Sequence, residues 1–350
     1  MSEAGRPTLR DIAKVAGVSV ATVSRALTQS TFVDSSKRER VLDAAAELGY
    51  RRPGAAPFAP TRSRMFGVIM AAHEGDRQVP HPLFQPVLDG LKRGSELDGY
   101  HLLHMSVHER DRARAAPSYL EIARLRNLDG CILMGVDSGA PQTRALVRSG
   151  IPCVGIDLQL EAGGRTAYVS SDNVTGARLA VRHLHATGRR RIATVAGRLE
   201  TPPGRERLHG YRSELQACGL PYIREYVGLG DFFDASGYAA ATTLLALPEP
   251  PDALFCASDL MAIGAIRAIE RAGLVPGQDV AVVGFDDIEV AGLVRPRLTT
   301  LRQNTVDLGA AAAWALLQLI KDEKRSPAPL LLPVRLVVRE STPPTAGWPA

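Results

Sequence analysis

The stretch TLRDIAKVAGVSVATVSRAL, residues 8–27, holds two short amphipathic patterns separated by one glycine. Thr8 and Asp11 form a Thr-x-x-Asp start signal: the hydroxyl suits an early amide, and the carboxylate suits the positive end of a helix. Ile12, Val15 and Ala16 then recur at helical spacing, which predicts one inward face. Gly17 ends the helix, because it takes the left-handed conformation that a tight exit requires. Val18 supplies an inward contact for the turn, and Ser19 caps a second helix that runs to Leu27. A third helix is expected to start near Asp34 to Ser36, with Ser36-x-x-Glu39 as its box. Val41, Ala45 and Leu48 point inward before Gly49 stops it.

Two short helices joined by a glycine turn and braced by a third make a helix-turn-helix, the form that reads DNA. A three-helix bundle used for protein contacts is the alternative, and the second helix separates the two. With Val23 and Leu27 inward, Val20, Ala21, Thr22, Ser24 and Arg25 project outward. Hydroxyls such as those of Thr8, Ser19, Thr22 and Ser24 suit phosphates. Arg25 can grip a guanine edge, and small Val20 and Ala21 can meet thymine methyls. Lys14, Lys37 and Arg38 suit phosphate anchoring.

Charge points the same way. The chain of 350 residues carries a net charge of +5, and residues 1–64 hold eleven Lys/Arg against six Asp/Glu. All the excess positive charge therefore sits in the first fifth, the distribution of a module that binds a polyanion. Beyond it, residues 51–64, RRPGAAPFAPTRSR, contain three prolines, one glycine and four arginines. That composition predicts an interdomain linker rather than a regular helix.

From Phe66 onward short apolar runs alternate with amphipathic ones. FGVIMA, HLLHM, GCILMG, PCVGID, RIATVAG, ALFCAS and VAVVGF read as strands. Residues 175–187, 205–218, 235–247, 259–272 and 304–321 read as helices. This alternation predicts parallel sheets covered by helices on both faces, with ligands beyond the carboxyl ends of the strands. Polar residues at strand ends and helix starts are the cleft candidates. Asp157 follows CVGI, Asp286 follows VVGF, and Arg207 lies in RERLHGY. A carboxylate or a guanidinium engages two adjacent hydroxyls, which suits a polyhydroxylated ligand. Helix or turn capping in FDDIE is the alternative for Asp286, and a lobe-bridging ion pair is the alternative for Arg207.

Several functions find no support. The four cysteines (Cys131, Cys153, Cys218, Cys256) are widely spaced, and three sit in apolar runs, as expected for reduced thiols in a cytoplasmic protein. Their spacing matches no common zinc pattern, so no metal and no cofactor is expected. No apolar run approaches the roughly 20 residues that span a bilayer, and MSEAGRPTLR lacks the apolar core of a signal peptide, so no membrane role is expected. There is no phosphate loop, no His-Glu-x-x-His and no Gly-x-Ser-x-Gly, so no enzyme is expected. A sugar-converting enzyme and an exported sugar-binding protein are the rival readings; the latter has no use for a DNA-reading headpiece.

TLRDIAKVAGVSVATVSRAL with KRERVLDAAAELGY closely resembles the headpiece of the lactose/galactose-repressor (LacI/GalR) family of bacterial transcription regulators. The resemblance continues in family order through DGCILMG, SSDNVTGARLAVRHL, GRRRIATVAG, RERLHGYRSEL, ASDLMAIGAIRAI, DVAVVGFDD, PRLTTLRQ and LVVREST. It implies a helix-turn-helix headpiece (1–50), a hinge (51–64) and an α/β, two-lobed, periplasmic-binding-protein-like (type I) domain over 65–345. Lobe 1 then takes about 65–169 and 299–326, and lobe 2 about 170–296 and 330–340. It implies base reading by Val20, Ala21 and Arg25, and effector contacts at Asp157, Arg207 and Asp286. Phe84 and Phe232 align with cleft aromatics that stack on a ring face, although a lone phenylalanine equally serves a core. Ser258 stands where Asn is common, giving fewer donors. His81 reads as a structural or solvated histidine. The hinge pattern places an apolar wedge for the minor groove at Phe58 or Ala59; a tether whose arginines touch phosphates is the alternative. The segment AAHEGDRQVPHPLF is roughly six residues longer than the family pattern, so the identity of the sugar does not carry over. The partners implied are a palindromic operator with a central CpG, a small sugar-like effector and a second copy of the chain. The tail STPPTAGWPA lacks leucine heptads for a coiled-coil tetramer.

Overall fold

The computed structural model describes residues 8–27, 37, 40–41, 43–45, 48, 63–70, 81–106, 118–161, 165–322 and 327–343. The chain divides into two compact units, residues 1–61 and 62–350.

In the first unit, helix α1 (Leu9–Ala16) ends at Gly17, whose φ of 63° is left-handed as expected. The Asp11 carboxylate accepts hydrogen bonds from both the amide and the hydroxyl of Thr8, each at 2.7 Å, and these bonds hold its pKa below the ordinary value. Thr8 therefore gives its proton to Asp11. After the turn, the Val18 amide donates to the Ala13 carbonyl at 3.1 Å. Ser19 opens helix α2 (Val20–Leu27) by accepting from the Thr22 amide at 3.2 Å. The core is Ile12, Ala13, Ala16, Val23, Ala26, Val41 and Ala44, with Leu9, Val18, Ala45 and Leu48 at its edge. Val15, expected inward, is 51% exposed, because Ala13 takes the buried place beside Ile12. The side chain of Leu27 lies outside the described residues, as do Arg38, the start of the third helix and all of the hinge except Ser63 and Arg64. Gly17→Ala is expected to destabilise this unit by about 1 kcal/mol, since a Cβ at positive φ is strained even in open space. A change in the denaturation midpoint measures it.

The second unit contains two six-stranded sheets. The first has the order β11 (Leu330–Leu332), β5 (Thr166–Ser171), β4 (Cys153–Ile156), β3 (Gly130–Met134), β1 (Met65–Met70), β2 (His101–Ser106). Every pairing in it is parallel. The second has the order β12 (Arg335–Val337), β10 (Thr299–Arg302), β9 (Ala281–Asp286), β8 (Ala253–Cys256), β6 (Ile192–Ala196), β7 (Val227–Leu229). Only β12 runs antiparallel, against β10. Strands such as MFGVIM and GCILM are apolar on both faces because helices cover both faces. Phe66 and Val68 pack with Leu308, Ala312 and Leu316 on one side of the first sheet, and Ile69, Leu133 and Leu146 on the other. In the second sheet, Leu254 and Val282 take one side, Phe255 and Val283 the other.

The helices of this unit are α3 (Phe84–Glu96), α4 (Tyr119–Leu125), α5 (Pro141–Arg148), α6 (Asn173–Ala186), α7 (Pro202–Ala217), α8 (Asp234–Leu245), α9 (Asp259–Arg271) and α10 (Thr305–Lys321). α6 and α7 begin two to three residues earlier than expected from sequence. Asp172 caps α6 through the Thr175 amide, and Thr201 caps α7 with Pro202 and Pro203 in the first turn, where proline fits.

The chain passes between the sheets three times: after β5, after β10 and between β11 and β12. This corrects the expected lobe boundaries. Residues 299–302 belong to the second lobe, because β10 pairs with β9 and Leu301 fills that core. Residues 330–332 belong to the first, because β11 pairs with β5 and Leu330 and Leu332 pack there. All four cysteines are free thiols, three of them buried.

Candidate ligand cleft and nucleic-acid interface

On the first unit, α2 buries Val23 and Ala26. Val20, Ala21 and Arg25 are exposed, and Thr22 and Ser24 are half-buried beside them. Thr8, Lys14, Ser19 and Lys37 are also exposed. The hydroxyls of Ser19 and Thr22 are 2.8 Å apart, so the helix start presents a linked pair of oxygens. Small apolar groups, hydroxyls and one guanidinium on one helix face fit the edges and phosphates of a major groove.

In the second unit, the carboxyl ends of β4, β5, β9 and β10 carry the polar cluster. Arg207, on the second turn of α7, is buried. Its Nε donates to Asn173 Oδ1 at 2.8 Å and its Nη1 to the Ala257 carbonyl at 2.6 Å. The guanidinium lies 3.7 Å from the centroid of the Phe285 ring, and its Nη1 is 3.7 Å from Asp286 Oδ1. Asn173 is the junction: its Nδ2 donates to Ser170 Oγ at 3.1 Å and to Glu206 Oε2 at 2.8 Å. Ser170 in turn donates to Asp157 Oδ1 at 2.5 Å. On the other side, Gln303 Nε2 donates to Asp286 Oδ1 at 2.6 Å while its Oε1 accepts from Ser171 Oγ at 2.6 Å. Both lobes thus contribute to one connected network.

Burial pushes the Asp286 carboxyl up from the ordinary carboxylate range, with Arg207 and His81 opposing. Asp157 is raised by burial too, against the hydrogen bond from Ser170 and the charge of Arg207. Burial lowers Arg207, and Asp286, Asp157 and Glu206 pull it back. Behind them Asp259, held by Thr300 Oγ1 and the Ile288 amide, is pushed up to about 8 by burial and by Asp286. Among the described residues, six non-glycine positions have positive φ, and four of them are here: Asp157, Phe232, Asp286 and Asp287. Such conformations persist where surrounding contacts hold a functional geometry in place.

The sequence candidates divide accordingly. Asp157, Arg207 and Asp286 come together. Phe232 is half-buried with Arg207 6.0 Å from its ring centroid, and Phe84 opens α3 with its ring centroid 6.3 Å from that of His81. Ser258 differs from expectation: its hydroxyl donates to the Phe232 carbonyl at 2.9 Å and caps α9, so its proton is committed to the backbone. Ser170, Ser171, Asn173 and Gln303 were not singled out from sequence. The signal for the first three is the run SSDN, polar residues placed directly where a strand ends and a helix starts; Gln303 directly follows β10. His81, read as structural or solvated, is half-buried with its Nε2 4.0 Å from Asp286 Oδ2.

Residues 8–53 match the family described as bacterial regulatory proteins, lacI family. Residues 181–342 match the periplasmic binding protein-like domain. The HTH-type transcriptional regulator CelR of Thermobifida fusca is 34% identical over 349 residues, covering 97% of this chain and 100% of CelR. A solved CelR–cellobiose complex has a TM-score of 0.69 at 34% identity, covering 96% of this chain and 100% of that one. A Lac repressor dimer bound to operator and the anti-inducer ONPF has a TM-score of 0.67 at 29% identity, covering 97% of this chain and 99% of that one. Among the described residues no helix is long and apolar enough to cross a membrane. The chain belongs to the lacI family of bacterial regulatory proteins and is a DNA-binding transcriptional regulator, with a helix-turn-helix headpiece and a two-lobed effector domain of the periplasmic-binding type.

Proposed function

We propose that this regulator is a cytoplasmic repressor that binds a palindromic operator as a homodimer, without catalytic turnover, and that a neutral sugar in the interlobe cleft sets its operator affinity. The convergence of Arg207, Asp157 and Asp286 on one buried network carries the reading, because two carboxylates and a guanidinium at strand ends are suited to adjacent hydroxyls. Phe84 and Phe232 flank the ring faces, and Ser258 positions Phe232. The likeness to CelR, solved with cellobiose, makes cellobiose the first sugar to test. The proposed DNA contacts are Thr8, Lys14, Ser19, Val20, Ala21, Thr22, Ser24, Arg25 and Lys37, together with Arg38 and with Phe58 as the minor-groove wedge, both outside the described residues. The headpiece is proposed to span residues 1–50 and the hinge residues 51–64.

Selection from random duplexes by the purified protein at fixed salt, with and without cellobiose, glucose and ribose, tests the proposal. A palindrome with a central CpG, bound more weakly or more tightly with one of the sugars, is expected. Salt-sensitive binding with no enriched sequence overturns it. Arg25→Ala is expected to cost about 1–3 kcal/mol of operator affinity and to relax preference at one base position of each half-site. Quantitative binding to single-base operator variants reads both effects.

A further inference from the structure

Two buried polar atoms of the cleft, His81 Nε2 and Asp286 Oδ2, have no hydrogen-bond partner among the described residues. They face each other at 4.0 Å, beyond hydrogen-bond reach, and their side chains are 11% and 2% exposed. The two come from opposite lobes. His81 lies directly before α3 of the first, where its carbonyl accepts from the Phe84 amide at 3.0 Å, and Asp286 ends β9 of the second. A buried donor or acceptor left unpaired is costly, so this gap fits an occupant.

The chemistry of the gap is set on both sides. The Leu83 amide donates to His81 Nδ1 at 3.3 Å, which makes Nδ1 the acceptor and places the proton of the neutral ring on Nε2. Burial lowers the ring's pKa; Asp286 opposes that shift, the Arg207 charge reinforces it, and the Phe232 carbonyl opposes it. That carbonyl already accepts from Ser258. The ring is fixed from both lobes, its centroid 6.3 Å from that of Phe84 and 5.5 Å, edge-on, from that of Phe233. Opposite it, Asp286 Oδ1 is taken by Gln303, so Oδ2 alone remains to accept. The cleft therefore offers one N–H and one carboxylate oxygen to a single atom. An oxygen about 2.8 Å from both would subtend about 90° between them, near the spacing of a hydroxyl's proton and lone pair.

Resting on the sugar reading above, we propose that His81 is a specificity-determining contact: His81 Nε2 donates to, and Asp286 Oδ2 accepts from, one and the same effector hydroxyl. A carboxylate or phosphate oxygen only accepts and is repelled by Asp286. An ammonium only donates and leaves Nε2–H unpaired. A hydroxyl satisfies both, and in doing so it links the first lobe to the second.

The test is calorimetric titration of the full chain with cellobiose, glucose, ribose and galactose, repeated on three variants. His81→Phe keeps the ring packing and removes the donor, His81→Gln keeps a donor, and Arg207→Lys reports on the cleft. Thermal unfolding of each variant shows that it is folded. The best-binding sugar is expected to lose about tenfold or more in affinity with His81→Phe and less than about threefold with His81→Gln. One single-deoxy analogue of that sugar should bind the original chain about tenfold more weakly, yet lose nothing further with His81→Phe. Loss with Arg207→Lys but none with His81→Phe overturns the His81 contact alone and means that only a water fills the gap. Binding by none of the sugars, or binding indifferent to both positions, overturns the sugar reading itself and the contact with it.

Discussion

Arg207→Ala is expected to abolish the response of operator binding to the effector and at the same time to lower the stability of the second unit by about 3–5 kcal/mol. The two effects share one cause. The guanidinium donates to Asn173 and to the Ala257 carbonyl, stacks on Phe285 and is the cation nearest Asp286. Its removal leaves a buried carboxylate without its counter-charge and a buried carbonyl without a donor. Arg207→Lys separates the effects: a lysine keeps the charge that Asp286 needs but lacks the planar fork that serves Asn173, Ala257 and a ligand together. It should therefore keep most of the stability and still lose about tenfold or more in effector affinity. Operator binding followed by fluorescence anisotropy, with and without effector, reads the first effect, and chemical denaturation reads the second. A full effector response from Arg207→Ala would remove the residue from the binding site.

Gly90→Ala is expected to destabilise the first lobe by about 3 kcal/mol, against the direction that helix propensity gives. In an open helix, alanine is favoured over glycine by about 1 kcal/mol. At Gly90, however, a Cβ would collide with the backbone carbonyl of Val306, and the reciprocal Cβ at Gly309 would collide with that of Val87. Helices α3 and α10 touch backbone to backbone at these glycines, so the collision has no flexible side-chain end to displace. The same device recurs in the second lobe, where Gly237 and Gly264 seat α8 and α9 against each other. A denaturation midpoint equal to or above that of the original chain would show that the helices have room to separate.

The elements read most accurately from sequence are those with a sustained pattern. The apolar strands β1, β3, β8 and β9 stand where GVIM, CILM, ALFC and AVVGF placed them, because burial on both faces leaves an uninterrupted apolar run. β5, with its alternating TAYVSS, and the three-residue edges β7, β11 and β12 carry no such run. β10 and β11, not read as strands, are the elements on which the lobe boundaries implied by the resemblance differ from the structure. In α1, Ala13 and Val15 flank the Ile12 and Ala16 stripe on opposite sides, and tertiary packing covered the Ala13 side while leaving Val15 exposed. The cleft was legible through its charged residues. Asn173 and Gln303 escaped notice because short polar residues at a strand end also serve ordinary caps and turns. His81 could be assigned only once the fold had brought a second-lobe carboxylate within 4.0 Å of it.

The threefold passage of the chain between the sheets also bears on how the protein is made. Neither lobe is a continuous stretch of sequence: the first lacks α10 and β11, and the second lacks β10 and β12, until the last fifth of the chain has been synthesised. Leu308, Ala312 and Leu316 of that late segment occupy the centre of the first core, and Leu301 that of the second. On the ribosome, the headpiece emerges whole long before either lobe can close. A chain that ends before residue 299 lacks β10, α10, β11 and β12 and can close neither lobe, so the whole effector domain becomes available only when synthesis is almost finished.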